Sequence, residues 1–154
     1  MIRTLAAGLS AFAMLAASLN CAAQDNKPQT PATLAGAKVV SAAEVKGLLD
    51  GKKAAFFDTR SPVNFGKGHV PGAKAFPYGE KSEFAANFDA AQDRFDLTQL
   101  PADKNAALVF YSDGPTGWKS YKAAVLAVRG GYKAVHYFRG GWAEWESKKF
   151  PVEN

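Results

Sequence analysis

Residues 106–120 read AALVFYSDGPTGWKS, and this stretch decides the fold. Its first six residues, Ala106 to Tyr111, are uniformly apolar, which is typical of a central strand buried on both faces of a parallel sheet. Two glycines and a proline follow, and Lys119–Val128 then has the apolar spacing of a helix that ends at Gly130-Gly131. A strand, a tight loop and a helix in this order form one βα unit.

The same alternation extends along the chain in both directions. We predict further strands at Val39–Val40, Lys53–Asp58, Ala73–Phe76 and Ala134–Phe138. Two further helices are predicted, one capped by Ser41 and ended by Gly51, and one at Trp142–Lys148. Strands that alternate with helices over about 115 residues predict an α/β fold with a mainly parallel sheet. Between Tyr78 and Asp103 we expect Phe84, Phe88 and Phe95 to face the core from two short helices.

The N-terminal stretch has the pattern of a secretory signal peptide. Arg3 is followed by an uncharged apolar run, Leu5–Leu19, and then by small residues that suit cleavage after Ala23. A run of about 15 apolar residues is short for a membrane span, which needs roughly 20. We therefore predict a signal peptide over residues 1–23, a protein that is periplasmic or secreted after cleavage, and no membrane span.

Cys21 is the only cysteine in the sequence. An alternative interpretation makes it the lipidated first residue of a bacterial lipoprotein, but Asn20 stands where that motif expects a small residue. Cleavage after Ala23 leaves no thiol, and so no disulfide, no thiolate nucleophile and no cysteine metal site. The Pro- and Thr-containing residues 24–37 predict a flexible linker, and residues 38–152 form the domain.

The charge of the chain argues against one class of partner. One of the 19 basic residues, Arg3, lies in the predicted signal peptide, and the remaining 18 stand against 14 acidic residues, a net charge of +4. Because the basic residues are scattered, a nucleic-acid partner is not expected. The net charge favours anionic ligands weakly. No spacing of ligating residues indicates a metal site, and no motif indicates a cofactor.

The loop over residues 112–118 is the strongest candidate for a binding site, because ligands of parallel α/β sheets bind beyond the carboxyl ends of the strands. Its glycines let the backbone curl so that successive N–H groups converge, and the N-terminus of the next helix adds a partial positive charge. These features suit a small anion. The alternative is a tight βα turn without a ligand, and the pattern alone leaves both interpretations open.

Three ordered motifs resemble those of rhodanese-homology domains. They are Phe57–Pro62 with Gly68–Ala73, then Val109–Ala124, then Gly131–Val135 with Arg139-Gly140-Gly141. The resemblance implies a five-stranded, mainly parallel sheet with helices on both faces. In active members a cysteine at the start of the loop attacks a sulfur donor, becomes a persulfide, and passes the sulfur to a thiol or to cyanide. Loop N–H groups stabilise the anionic forms of that cysteine.

Ser112 occupies the position of this cysteine. A subgroup of secreted members with the loop Cys-x-Gly-Pro-x-Cys-Trp-x-Ser has a second cysteine where this chain has Gly117. Gly114, Pro115 and Trp118 are nevertheless kept. A serine hydroxyl needs a general base to react, and it cannot hold a sulfane sulfur as a persulfide does. Sulfur transfer through Ser112 is therefore not expected, and the lack of a Gly-x-Ser-x-Gly elbow argues against a hydrolase.

Several side chains near the loop have two interpretations. Arg60 could reach a bound anion or tie loops together, and Trp118 could line the pocket or pack on the helix. Lys119 could attract an anion or be solvated, and Arg139 could face the same cleft. His69 is assigned to a structural turn by the resemblance, and His136 is interpreted as a packing residue within a strand.

The predicted ligand-binding residues are those of the loop, the first helical residue and one arginine: Ser112, Asp113, Gly114, Pro115, Thr116, Gly117, Trp118, Lys119 and Arg60. No catalytic residue, metal or cofactor is predicted. The leading hypothesis is an exported, non-catalytic module that binds a small oxyanion, a sulfur-carrying thiol or a periplasmic protein partner. The alternative is sulfurtransferase activity of the rhodanese type.

Overall fold

The computed structural model describes residues 26–154. The predicted signal peptide, its cleavage site and Cys21 lie outside the described residues. Within residues 26–154, no helix combines the length and the apolar character that crossing a membrane requires.

Five strands form one parallel sheet. They are β1 (Ala37–Val39), β2 (Ala55–Asp58), β3 (Lys74–Ala75), β4 (Ala107–Tyr111) and β5 (Ala134–Phe138), and their order across the sheet is β1-β5-β4-β2-β3. Every neighbouring pair is parallel, and Val109 of β4 lies opposite Phe56 on one side and His136 on the other. Strand β4 is central, as its apolar sequence predicts, and the predicted fold class is confirmed.

Helices cover both faces of the sheet. They are α1 (Ala42–Asp50), α2 (Pro62–Lys67), α3 (Trp118–Arg129) and α4 (Gly141–Ser147). Because side chains of a strand alternate between faces, β4 contributes to two cores. Leu108 and Phe110 pack in the core beneath α3. Val109 and Tyr111 pack in the opposite core, which contains Val45 of α1 and Trp145 of α4.

The segment between β3 and β4 differs from its prediction. Two short 3-10 helices are present, at Ala90–Gln92 and Leu97–Gln99, but none of the three phenylalanines lies on either of them. Phe88 is buried and Phe95 packs against the core, whereas Phe84 is 38% exposed. The expectation that all three face the core from two short helices is therefore wrong.

A buried lysine holds this segment against α3. Lys122 is fully buried, and its Nζ donates to Ser82 O at 3.1 Å and Ser82 Oγ at 2.9 Å. The same Nζ lies 3.0 Å from Glu80 Oε2 and 3.8 Å from Asp93 Oδ2. Asp93 Oδ2 also accepts Ser82 Oγ at 2.6 Å and Tyr78 OH at 2.8 Å. Polar contacts of this kind hold the segment in place, and they produce no periodic apolar pattern in the sequence. The spacing of the phenylalanines therefore predicted the wrong local structure for this segment.

The described part of the predicted linker packs on the domain. Thr30 is 3% exposed, and Leu34 is buried in the core beneath α3. The chain is thus part of the packed structure before Lys38, which differs from the flexible linker predicted for residues 24–37. The prediction failed because the contacts around Thr30 are made by a hydroxyl and by backbone groups. Such contacts leave no hydrophobic pattern in the sequence.

Candidate anion-binding site

Ser112 directly follows the C-terminal end of the central strand β4, as predicted, on the side of the sheet where the carboxyl ends of the strands lie. The residue is 1% exposed, and its Oγ has no hydrogen-bond partner within residues 26–154. An unpaired buried hydroxyl is unusual, because its desolvation costs about 1–3 kcal/mol. Glu80 Oε2 also lacks a hydrogen bond of good geometry, but it forms an ion pair with Lys122 at 3.0 Å.

The backbone of the loop closes tightly around Ser112. Gly117 N–H donates to Gly114 O at 2.8 Å, and α3 begins at the next residue. A Cβ atom added at Gly117 would lie 2.8 Å from Ser112 Cβ and 2.9 Å from Gly114 O. The close approach of the two ends of the loop therefore requires glycine at position 117.

Three carbonyl groups of the loop are held by hydrogen bonds from other elements. Ser112 O and Asp113 O accept N–H groups from the first turn of α4, at 2.8 and 2.9 Å. Pro115 O accepts both the N–H and the hydroxyl of Thr30, at 2.8 and 2.9 Å. These bonds fix the orientation of the peptide groups that follow Ser112, Asp113 and Pro115.

The N–H groups of the loop point away from these contacts. Its peptide bonds are trans, so each N–H is directed opposite to the carbonyl of the preceding residue. The groups concerned belong to Asp113, Gly114 and Thr116, and none of them donates a hydrogen bond within the described chain. The N-terminus of the twelve-residue α3 adds partial positive charge beside them. Unpaired N–H groups and an unpaired hydroxyl at such a terminus suit a small anion.

Gly141 lets α4 approach the loop closely. Its φ is +55°, a conformation that side chains disfavour, and an added Cβ would collide with Ser112 O. The Arg-Gly-Gly motif of the sequence therefore has a physical role at this site, because it brings the donors of α4 to the loop carbonyls.

Arg60 is bound to the loop after β2. The residue is 4% exposed, its Nε and Nη2 donate to the Asp58 carboxylate, and Nη2 also donates to Gly68 O at 2.7 Å. Its guanidinium lies 4.6 Å from the centre of the Trp142 ring. Burial alone would lower the pKa of Arg60, but the hydrogen bonds to Asp58 raise it above the usual value. These contacts support the structural interpretation, and anion binding by Arg60 stays a prediction.

The other predicted residues lie in the loop or in the first turn of α3. Trp118 is 4% exposed, packs edge-on against Tyr121 with ring centres 5.4 Å apart, and donates its indole N–H to Pro28 O at 2.8 Å. Trp118 thus packs on its own helix. Lys119 is half-buried in the first turn of α3, and Asp113 is exposed.

The two histidines have structural contacts. His69 Nδ1 lies 3.0 Å from Phe65 O and its ring stacks on the Phe65 ring. His136 Nδ1 lies 3.3 Å from Leu108 O, within the sheet. These contacts support the structural interpretation of both histidines. Because Ser112 Oγ has no partner in the described chain, neither histidine serves it as a general base.

Comparison with known proteins identifies the family. A family model for the Rhodanese-like domain matches residues 41–148. The chain belongs to this family. It is 30% identical over 116 residues to thiosulfate:glutathione sulfurtransferase of Homo sapiens, which is 75% of this chain and 99% of the relative. The structure of the human single-domain sulfurtransferase is 27% identical, with a TM-score of 0.52 over 73% of this chain and 97% of that one.

A third comparison concerns the fold alone. The Alr3790 protein from Anabaena sp. is 22% identical to this rhodanese-like domain, and its crystal structure has a TM-score of 0.56 over 75% of this chain and 82% of that one. The loop at 112–118 and α4 lie inside the region matched by the family model, whereas β1 and the segment around Thr30 precede it.

One cavity of the rhodanese-like domain lies away from Ser112. Its volume is about 710 Å³, and it is lined by residues 77–81 and 91–94, next to the contacts of Lys122. Burial alone would raise the pKa of Asp93, but hydrogen bonds from the Ser82 hydroxyl and nearby N–H groups hold it at about 2. Because the buried polar atoms of this cluster are paired with one another, we assign the cluster a structural role. Within the described residues, no group of three or more ligating side chains is placed to hold a metal ion.

Proposed function

We propose that this rhodanese-like domain binds a small oxyanion, or the persulfide of a sulfur-carrying thiol, without transferring sulfur itself. The observation that carries the proposal is the buried Ser112 hydroxyl, unpaired within residues 26–154, next to three loop N–H groups that also lack acceptors there. A bound anion would satisfy these groups together. The loop geometry supports a binding role, because a turn without a ligand gains nothing from leaving the buried Ser112 hydroxyl unpaired.

Serine at position 112 separates binding from catalysis. A cysteine thiol has a pKa of about 8.5, which positive surroundings lower further, so that its thiolate is available near neutral pH. The Ser112 hydroxyl is hydrogen-bonded to no base within the described chain, so no described group is placed to take its proton. We therefore expect the wild-type chain to transfer no sulfur from thiosulfate.

Thermal unfolding in the presence of anions tests the proposal. The protein from Gln24 onward, which contains all described residues, is titrated with thiosulfate, sulfite, sulfate and phosphate. A ligand that binds only the folded state raises the unfolding temperature in a saturable way. We expect such a rise for at least one of these anions. Thiosulfate is tested first because the human relative is a thiosulfate:glutathione sulfurtransferase.

Gly117→Ala is the variant that should abolish this rise, because the added Cβ would press on Ser112 and Gly114. Gly47→Ala is its matched control, since a Cβ at Gly47 meets nothing within 4 Å. If no anion raises the unfolding temperature at millimolar concentration, the binding proposal is wrong and a domain that docks a protein partner becomes the better explanation.

Sulfurtransferase activity is the second candidate, and family membership favours it. It predicts turnover of thiosulfate with cyanide or glutathione by the wild-type chain. Under our proposal the wild-type chain is inactive, whereas Ser112→Cys gains measurable activity because the loop is already formed. Wild-type turnover that persists in Ser112→Ala would show a route that does not use this loop.

We also propose that residues 1–23 direct export and are then removed. N-terminal sequencing of the protein recovered from the periplasm or the medium should begin at Gln24. A chain that begins with a lipidated Cys21 would support the lipoprotein alternative, and a chain that keeps Met1 in the cytoplasm would contradict export.

A further inference from the structure

Residues 28–31, which we call the strap, lie against the candidate site, and Thr30 is their buried centre. Its N–H and its hydroxyl both donate to Pro115 O, at 2.8 and 2.9 Å. Its hydroxyl oxygen accepts Tyr137 OH at 2.8 Å, and its carbonyl accepts Nε and Nη2 of Arg139 at 3.2 and 2.9 Å. Each polar group of Thr30 is thus bonded either to the loop or to the end of β5.

The bonds to Pro115 O determine where a neighbouring donor points. Pro115 O and Thr116 N–H belong to one planar, trans peptide unit, so a carbonyl held toward Thr30 leaves the N–H on the opposite side. Thr116 N–H donates no hydrogen bond within residues 26–154. Two donors on the carbonyl also polarise the peptide and make its N–H a stronger donor.

We propose that Thr30 is a positioning residue for the anion site, an inference that rests on the proposed function. Its two bonds keep the 115–116 peptide in the orientation in which Thr116 N–H is available to a bound anion. The proline ring fixes φ of Pro115, but ψ of Pro115 and φ of Thr116 remain able to rotate this peptide. With only one of the two bonds, the peptide samples orientations in which its N–H no longer serves the site.

Other contacts hold the strap, so a substitution at Thr30 can be made without detaching it. Trp118 donates its indole N–H to Pro28 O at 2.8 Å, and Arg139 Nη2 donates to Gln29 Oε1 at 3.0 Å. Thr30→Val keeps the shape and the backbone N–H of the residue but removes the hydroxyl. Thr30→Ser keeps the hydroxyl. Thr33→Val is the control, because Thr33 is an exposed threonine that lies just beyond the strap.

Two measurements test the inference in the protein that begins at Gln24. The first is the anion concentration dependence of the unfolding temperature, with thiosulfate, sulfite, sulfate and phosphate as probes. We expect Thr30→Val to weaken binding roughly three- to tenfold, as for the loss of one hydrogen bond. Thr30→Ser should bind nearly as the wild type does, and Thr33→Val should bind unchanged.

The second measurement needs no ligand. In a Ser112→Cys background the introduced thiol is the only one, and the ultraviolet absorbance of its thiolate reports its titration with pH. Loop N–H groups that stabilise the thiolate lower the titration midpoint. Adding Thr30→Val should raise that midpoint by an amount equivalent to a roughly three- to tenfold weaker stabilisation. Adding Thr30→Ser or Thr33→Val should leave it near that of Ser112→Cys alone.

The outcomes separate this inference from the proposed function. If no anion binds the wild-type chain but Thr30→Val still raises the thiolate midpoint, the proposed function fails and the positioning role stands. If Thr30→Val lowers the unfolding temperature without changing the midpoint, Thr30 is merely structural and the inference is overturned. It is equally overturned if Thr30→Ser raises the midpoint as far as Thr30→Val does.

Discussion

Two groups of polar atoms lie beside helix α3, one around Lys122 and one around Ser112, and they differ in how they are paired. Around Lys122, the ammonium is hydrogen-bonded to Ser82 and forms ion pairs with the carboxylates of Glu80 and Asp93. Around Ser112, the hydroxyl and three neighbouring N–H groups find no partner within residues 26–154. The paired atoms around Lys122 make their polar contacts within the folded chain and hold a segment in place. An unpaired group at a helix N-terminus still has bonds to make, and an incoming ligand can make them.

The largest effect should come from breaking the paired group. Lys122→Met leaves the buried carboxylates of Glu80 and Asp93 without their cation, and we expect the free energy of unfolding to fall by about 3–5 kcal/mol. Urea denaturation measures it. Lys46→Met is the control, because Lys46 pairs with Asp50 at a more exposed position and such a pair is worth at most about 1 kcal/mol. A loss below 1 kcal/mol for Lys122→Met would mean that its contacts are not the main support of the segment.

The next largest effect on stability should come from Gly141, where α4 contacts the loop of the unpaired group. Gly141→Ala combines a left-handed backbone with a collision against Ser112 O, and we expect a loss of about 2 kcal/mol or more together with loss of anion binding. Gly131→Ala has the same backbone problem, with φ of +88°, but its Cβ would meet nothing within 4 Å. If both variants lose equal stability and both keep anion binding, the close contact between α4 and the loop has no role in the site.

A smaller effect depends on pH. The folded-state pKa of Asp93 is about 2, below its ordinary value of 3.8, so the protonated carboxyl is disfavoured by folding. Its contribution is therefore fully present above about pH 4 and is lost as the pH falls toward 2, on the order of 1–2 kcal/mol. Denaturation between pH 5 and pH 2, compared with Asp93→Asn, measures this contribution. Should the wild type and Asp93→Asn lose stability in parallel over this range, Asp93 is not the responsible group.

The smallest effect on stability should come from Ser112→Ala. No hydrogen bond is lost and an unpaired buried hydroxyl is removed, so the unfolding free energy should stay within about 0.5 kcal/mol of the wild type or increase. Anion binding should weaken at the same time. A loss of stability well above 1 kcal/mol would show that the hydroxyl is bonded in the free protein, and the contrast between the two groups would then disappear.

Local signals in the sequence explain what could be predicted. The apolar run of β4 and the two glycines of the loop are read directly, and α3 begins within one residue of its predicted start. The loop follows β4 directly, and its tight closure requires glycine at position 117, as the glycine-rich sequence suggests. Anion binding by this loop stays a prediction.

The remaining features depend on contacts between distant residues. Thr30 reaches Pro115 across 85 residues, and Lys122 reaches Ser82 across 40, so no periodic pattern reveals either contact. Arg60 could be interpreted in two ways for a different reason, since its partners are only two and eight residues away in the sequence. Its commitment to Asp58 and to Gly68 O is a matter of side-chain geometry.

The long reach of Thr30 has a consequence for the order of folding. Its partners lie 85, 107 and 109 residues further along the chain, so these bonds close some of the longest loops in the structure. Closing long loops is entropically costly, and contacts of this kind tend to form late. We expect the sheet to assemble first and the 115–116 peptide to acquire its final orientation in one of the last steps. Pulse-labelling of the Thr116 amide during refolding would follow this maturation of the site separately from that of the core.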